Sequence, residues 1–341
     1  MSDNALIQKI KPTVTASPHI KSHATSQRMM LDVIIALIPA LAASVYVFGP
    51  RVLLVEGISV ASCMLFEYVA RKIMGRHNTL GDLSAVVTGL LLAFNLPSGI
   101  PLWMVPIGAF VAIVVVKQFF GGIGQNFVNP ALMGRIILMV SFAGAMTTWP
   151  EVYNWHAPAV DAISSATPLA VLKAGGELPS LTEMLLGLRP GCLGETCAVA
   201  LLLGGVYLLV RRVISPTIPL AFIGTVAVFM AIAGPQDAMP LGRVDFVLYN
   251  LLGGGLLIGA IFMATDYSTC PLTFKGKIIY GIGCGLVASL IRYFGNYNEG
   301  VSFGIILMNL LVPHIDNLTK LKPFGYQKPP KEKKAKEAEA K

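Results

Sequence analysis

Residues 29–49 read MMLDVIIALIPALAASVYVFG, an apolar run with one charged residue, Asp32. At 1.5 Å per residue such a run is a helix long enough to cross the hydrocarbon core of a bilayer. Further apolar runs follow at 52–70, 82–96, 102–119, 130–147, 193–210, 217–234, 245–264, 277–294 and 301–315. They predict an all-α polytopic membrane protein of about ten transmembrane helices. Composition agrees: 55% of the residues are hydrophobic and 13% charged, and the mean hydropathy is +0.69. One soluble core in a 341-residue chain has no room for that much apolar surface. The polar start shows no cleavable signal, so the first helix is expected to direct its own insertion.

The expected organisation is an N-terminal tail over 1–28, a first five-helix unit over 29–147, a loop over 148–192, a second unit over 193–315 and a basic tail over 316–341. With both tails inside, 21 of the 26 Lys and Arg fall on the inner side and five outside, Arg51, Lys173, Arg189, Arg243 and Arg292. This is the positive-inside pattern, and it puts the 148–192 loop outside. The charge of +8 is scattered between apolar runs or gathered in the tail from Lys320 to Lys341, where lipid headgroups are the natural partner, so nucleic acid is not expected.

The two halves echo each other. GLLLAFNLPSGIPL (89–102) resembles GLLIGAIFMATDYSTCPL (255–272), and each precedes a span ending in Phe-Gly. One such turn falls inside and the other outside, which predicts two inverted repeats with broken helices.

Candidate polar sites are few. Asp161-Ala-Ile-Ser164-Ser165-Ala166-Thr167-Pro168 lies in the long loop, and Thr167-Pro168 reads locally as an N-cap and N1 pair for a helix over 169–174. Between the fourth and fifth runs lies Gly121-Gly-Ile-Gly-Gln-Asn126-Phe-Val-Asn129-Pro130, a membrane turn with Asn129-Pro130 opening a helix. No strand surrounds these glycines, so they are no dinucleotide fingerprint. Glu67 stands one turn before Arg71, which makes an i,i+4 ion pair the expected reading, with an ion site as the alternative. The five cysteines lack metal-ligand spacing; Cys192 and Cys197 are either a disulfide or two thiols at a helix start.

The string Ser164-Ser165-Ala166-Thr167-Pro168-Leu169 resembles the flavinylation signature of the membrane subunits of the Rnf and Na+-translocating NADH:quinone oxidoreductase complexes. Together with the basic N-tail, ten spans, mid-chain loop and Lys-rich end, it makes the chain similar to the D subunits of Rnf complexes. The resemblance implies FMN joined through its phosphate to the Thr167 hydroxyl, with Ser164, Ser165 and Asp161 part of the signature. Asp161 then either orients that site or is a plain surface carboxylate. A hydroxyl receiving a phosphoryl group is expected to be exposed among small neighbours.

By the same resemblance Asn126 and Asn129 belong to a pocket for non-covalent riboflavin. The repeat-related segment Ala264-Thr265-Asp266-Tyr267-Ser268 falls on the same side, which makes Asp266 a candidate for its lining. The implied function is electron relay in ferredoxin:NAD electron transfer coupled to Na+ or H+ translocation, in a bacterial inner membrane, with no catalytic residue in this chain itself. Implied partners are the flavoprotein G subunit, membrane subunits A and E, peripheral subunits B and C, and a flavin transferase during maturation. The sister quinone-reducing subunit, and a small-solute channel built on the same inverted design, are the alternatives.

Overall fold

The computed structural model describes residues 25–150, 152–153, 166–195, 197–235, 242–295 and 300–321. Every predicted apolar run contains helix. In order these are α1 Ser26–Phe48, α2 Arg51–Ile73, α3 Ser84–Phe94, α4 Met104–Gln118 and α5 Pro130–Ser141. Two short helices of the mid-chain loop follow, α6 Pro168–Ala174 and α7 Leu181–Leu186. Then come α8 Ala198–Val210, α9 Thr217–Ala233, α10 Arg243–Leu252, α11 Leu256–Met263, α12 Phe274–Phe294 and α13 Val301–Leu318. No β-strand occurs among the described residues; Pro97 and Cys192 form one isolated bridge.

Helices α1, α2, α12 and α13 are long and apolar enough to cross a membrane alone. α10 and α11 are long and apolar enough only together and are bent by 60° at their break, the shape of a broken span or of a re-entrant loop. The remaining apolar helices, α3, α4, α5, α8 and α9, run 10–17 residues. Breaks follow local chemistry. Gly253, Gly254 and Gly255 separate α10 from α11, and the last two hold φ of 66° and 65°, where a side chain is strained. α4 is π-wound over Val111–Gln118 and α11 over Gly259–Met263.

Polarity is turned inside out relative to a soluble protein. Ile38, Leu54, Leu65, Val140, Val228 and Ile232 are exposed on the helix faces, whereas Glu67, Lys117, Arg135, Arg292 and Asn309 are buried. That is the arrangement a hydrocarbon solvent selects.

Small residues set the closest helix approaches. A Cβ on Gly204 of α8 would collide with the Ala36 carbonyl oxygen of α1. Gly281 and Gly285 of α12, one turn apart, bring its backbone against Ala221 and Thr225 of α9. The order of packing partners recurs in the two halves: α2 meets α3 and α4, and α4 meets α5, as α9 meets α10 and α12, and α12 meets α13. A duplicated unit packs in this way. The halves are also joined directly, since Leu193 N donates to Leu96 O at 3.0 Å and Ser44 Oγ donates to Leu193 O at 2.5 Å.

Two expectations need correction. Glu67 does not pair with Arg71. Its carboxylate takes Lys117 Nζ at 2.7 Å and Thr79 Oγ1 at 2.6 Å. The partner comes from α4 because Arg71 turns toward the glycine turn, where its Nη2 fills the space that a Cβ on Gly122 would need. The second correction concerns the charge pattern. Lys117, Arg135, Arg189 and Arg292 enter the inside–outside count, yet all four side chains are buried. They report interior networks, not sidedness. The alternatives at Cys192 and Cys197 resolve to two free thiols.

Candidate functional site

The turn between α4 and α5 is shaped by Gly121, Gly122 and Gly124, all at positive φ. It carries Asn126 and Asn129 to the wall of a cavity that also receives Thr265, Asp266, Tyr267 and Ser268 from beyond the end of α11. Met29 and Met30 of α1, Ser84 and Thr88 of α3, Lys117 of α4 and Phe262 of α11 complete much of the lining. About 900 Å³ is free of atoms, counting the part that opens outward. A mostly apolar cleft with a few fixed polar groups suits a planar organic ligand. Asn126 and Asn129, grouped by the resemblance, and Asp266, added from the repeat-related segment, all line this one cavity.

Their side chains differ in what they have left to offer. Asn129 caps α5: its Oδ1 accepts from Ala131 N at 3.1 Å and Leu132 N at 3.3 Å, and its Nδ2 donates to Met263 O at 3.2 Å. Its Oδ1 is therefore spent on the cap, and one of its two Nδ2 hydrogens is left over for a ligand. Asp266 closes its own turn, accepting from Ser268 N, Ser268 Oγ and Thr269 Oγ1. Burial pushes its carboxyl above the ordinary value, while the bonds from Ser268 and Thr269 and the Lys117 charge pull the other way. Asn126 is different, since its Oδ1 is buried with no hydrogen-bond partner. A buried acceptor without a donor is costly unless a ligand supplies one.

Lys117 is a cavity residue that sequence patterns do not single out. Its ammonium bridges Glu67 Oε2 at 2.7 Å and Ser84 Oγ at 2.6 Å at the cavity wall. Ser84 in turn donates to Asp82. Nothing local predicts this, because the partners stand 50 and 33 residues apart.

The second candidate is Thr167. It occupies the expected position, N-cap of α6, with Oγ1 accepting from Ala170 N at 3.4 Å and Pro168 at N1. Contrary to the expected exposure, Thr167 is 7% exposed, whereas Ala166 beside it is open. It lines a small cavity with Arg189, Pro190, Glu195 and Gly254. Asp161, Ser164 and Ser165 lie outside the described residues.

α6 docks on the α10–α11 break. A Cβ on Gly254 would collide with Leu169 Cδ1 and with Arg292 Nη2. Arg292 holds the break by donating to the carbonyls of Asn250, Gly253 and Gly254. The candidate acceptor is thus tied to a broken helix, the kind of place where such folds keep ligands. α7 lies outside every apolar run, although Ser180-Leu-Thr-Glu183 is a legible capping box, and both of its hydrogen bonds form.

A third network lies between the halves. Arg135 of α5 donates to Asn95 Oδ1 at 3.0 Å and Ser302 Oγ at 2.9 Å, and its Nη2 meets Cys192 Sγ at 3.4 Å.

Residues 13–325 match the model of the NQR2, RnfD, RnfE family. The chain is similar to the D subunit of the Na+-translocating ferredoxin:NAD+ oxidoreductase complex of Acetobacterium woodii, 44% identical over 96% of this chain and 100% of that one. It is similar to the D subunit of the proton-translocating ferredoxin:NAD+ oxidoreductase complex of Clostridium ljungdahlii, 41% identical over 94% of this chain and 98% of that one. The D subunit of the ion-translocating oxidoreductase complex of Actinobacillus succinogenes is 34% identical over 92% of this chain and 98% of its own.

Proposed function

Since the chain belongs to the NQR2, RnfD, RnfE family, we propose that it is the D-type membrane subunit of an ion-translocating ferredoxin:NAD+ oxidoreductase and relays electrons through two flavins. FMN is carried covalently on Thr167, and riboflavin occupies the cavity at Asn126 and Asp266. Both tails face the cytoplasm of a bacterial inner membrane, and the Thr167 loop faces the periplasm beside the flavoprotein subunit. The remaining Rnf subunits supply the nicotinamide and iron–sulfur sites, and a flavin transferase loads Thr167.

The observation that carries the cavity assignment is the orphaned Asn126 Oδ1 in a cleft that also receives Asp266 from a distant segment. That oxygen suits the ring N–H of an isoalloxazine. When bound, a flavin supplies electron transfer, and the protein supplies position and field. Phe262, Met29 and Met30 offer apolar surface, Asn126 fixes the ring edge, and the Lys117–Glu67 pair sets the charge at the wall. At Thr167 the hydroxyl oxygen bonds to the flavin phosphorus as the bond from phosphorus to the donor's leaving group breaks, and the hydroxyl proton goes to that leaving group. It is buried when it caps α6, so the reading requires loading before that cap packs.

The test is the intact mass of the denatured chain from the native complex. It should exceed the sequence mass by FMN less one water, and flavin fluorescence should stay with the polypeptide. A bare chain overturns the covalent assignment. For the cavity, Asn126→Leu should abolish the extractable flavin and leave the covalent one; full retention of extractable flavin overturns it.

A further inference from the structure

Glu56, in the second turn of α2, is 4% exposed, and neither carboxylate oxygen has a hydrogen-bond partner. The other buried carboxylates are all served. Asp32 accepts from Tyr207 and Arg211, Glu67 from Lys117 and Thr79, and Glu195 from Cys192 N. No described cation has been spared for Glu56. Arg51, on its own helix, is exposed and donates to the carbonyls of Gly99 and Ile100. α2 packs on α1, α3, α4 and the short turn of helix Leu80–Asp82, whose Asp82 is a carboxylate that accepts from Ser84. Of the charged side chains these present, Arg28 of α1 is exposed at its first turn, and Asp32 of α1 is held by α8. α3 has none, and Lys117 of α4 is held by Glu67.

An isolated carboxylate among Val52, Val55 and Ser59 inside a membrane helix is costly unless something neutralises it. What relieves it is a cation seated on the carboxylate itself. We propose that Glu56 is a monovalent-cation site within the membrane, exchanging a proton or a sodium ion. Ser59, Cys63 and Glu67 continue the same buried face of α2 toward the Lys117 wall of the flavin cavity. Glu56 to Glu67 spans roughly 16 Å of helix rise. The site is therefore placed to sense charge at the cavity from the other end of one helix.

The probe is dicyclohexylcarbodiimide, applied to the detergent-solubilised native complex. A carboxyl O–H adds across one C=N bond: the oxygen bonds to carbon, the proton goes to nitrogen, and nothing leaves. The Glu56 peptide should gain the full reagent mass, while the Glu67 peptide, paired with Lys117, stays unmodified. Labelling that falls as pH rises and ignores NaCl identifies the proton; labelling suppressed by NaCl and not by KCl identifies sodium. An unlabelled Glu56 under every condition overturns the site.

In vesicles, Glu56→Gln should keep ferredoxin-to-NAD electron transfer and lose ion movement by at least several-fold; wild-type coupling overturns the role. That arm rests on the proposed function, and the labelling arm does not, so the two failures are distinguishable. Labelling of the wild type decides the site even where the variant fails to assemble.

Discussion

Thr167→Val leaves the chain without covalent flavin and brings electron transfer between ferredoxin and NAD+ to background, with the complex still assembled. Valine keeps the branched shape and removes the side-chain oxygen to which the proposed phosphoester is made. Assembly survives because the structural loss is one weak cap. Oγ1 accepts from Ala170 N at 3.4 Å, and losing an N-cap costs ~1 kcal/mol. Pro168 at N1 and Leu169 against the Gly254 break continue to hold α6. Thr167→Ser, with a hydroxyl at the same place, retains flavin. Intact mass, in-gel fluorescence and turnover are read on the same preparations. Flavin that stays attached in the valine variant places the acceptor elsewhere.

The second large effect is at Lys117. Lys117→Met strips Glu67 of its ion partner at a site where both side chains are almost fully buried. Breaking a buried pair from one side costs about 3–5 kcal/mol, because the remaining charge is uncompensated. A thermal melt in detergent should fall by on the order of 10 °C, or the chain should fail to accumulate. Lys117→Met with Glu67→Gln should recover most of the loss, since the neutral amide still receives Thr79. If the double variant melts no higher than the single one, the pair is not what holds α4 to α2.

The helices and their caps are legible in the sequence because the signals are local. Thr167-Pro168 and Asn129-Pro130 each open a helix with the side-chain caps their residue types dictate. The apolar runs mark every long element, and Gly253 to Gly255 mark the break before α11. Asn126 and Asp266 are brought together in the sequence only by a family resemblance and an internal repeat.

What stays hidden is pairing at a distance. Glu67 has an arginine one turn away and still takes a lysine 50 residues on, since Arg71 is drawn to the Gly122 turn. Arg135 shows no partner in the sequence because Asn95, Cys192 and Ser302 come from three separate stretches. The commitment of Asn129 to capping is readable from Asn-Pro, and it competes with the ligand role given to the same side chain.

The bond from Arg135 to Ser302 has a consequence for biogenesis. A ribosome delivers α5 long before α13, so a guanidinium destined for the centre of the bundle waits through much of synthesis for its last acceptor. Until residue 302 has been made, that guanidinium lacks the hydroxyl of the second half to which it donates. Completion of α13 is then the step that closes this tie between the two halves.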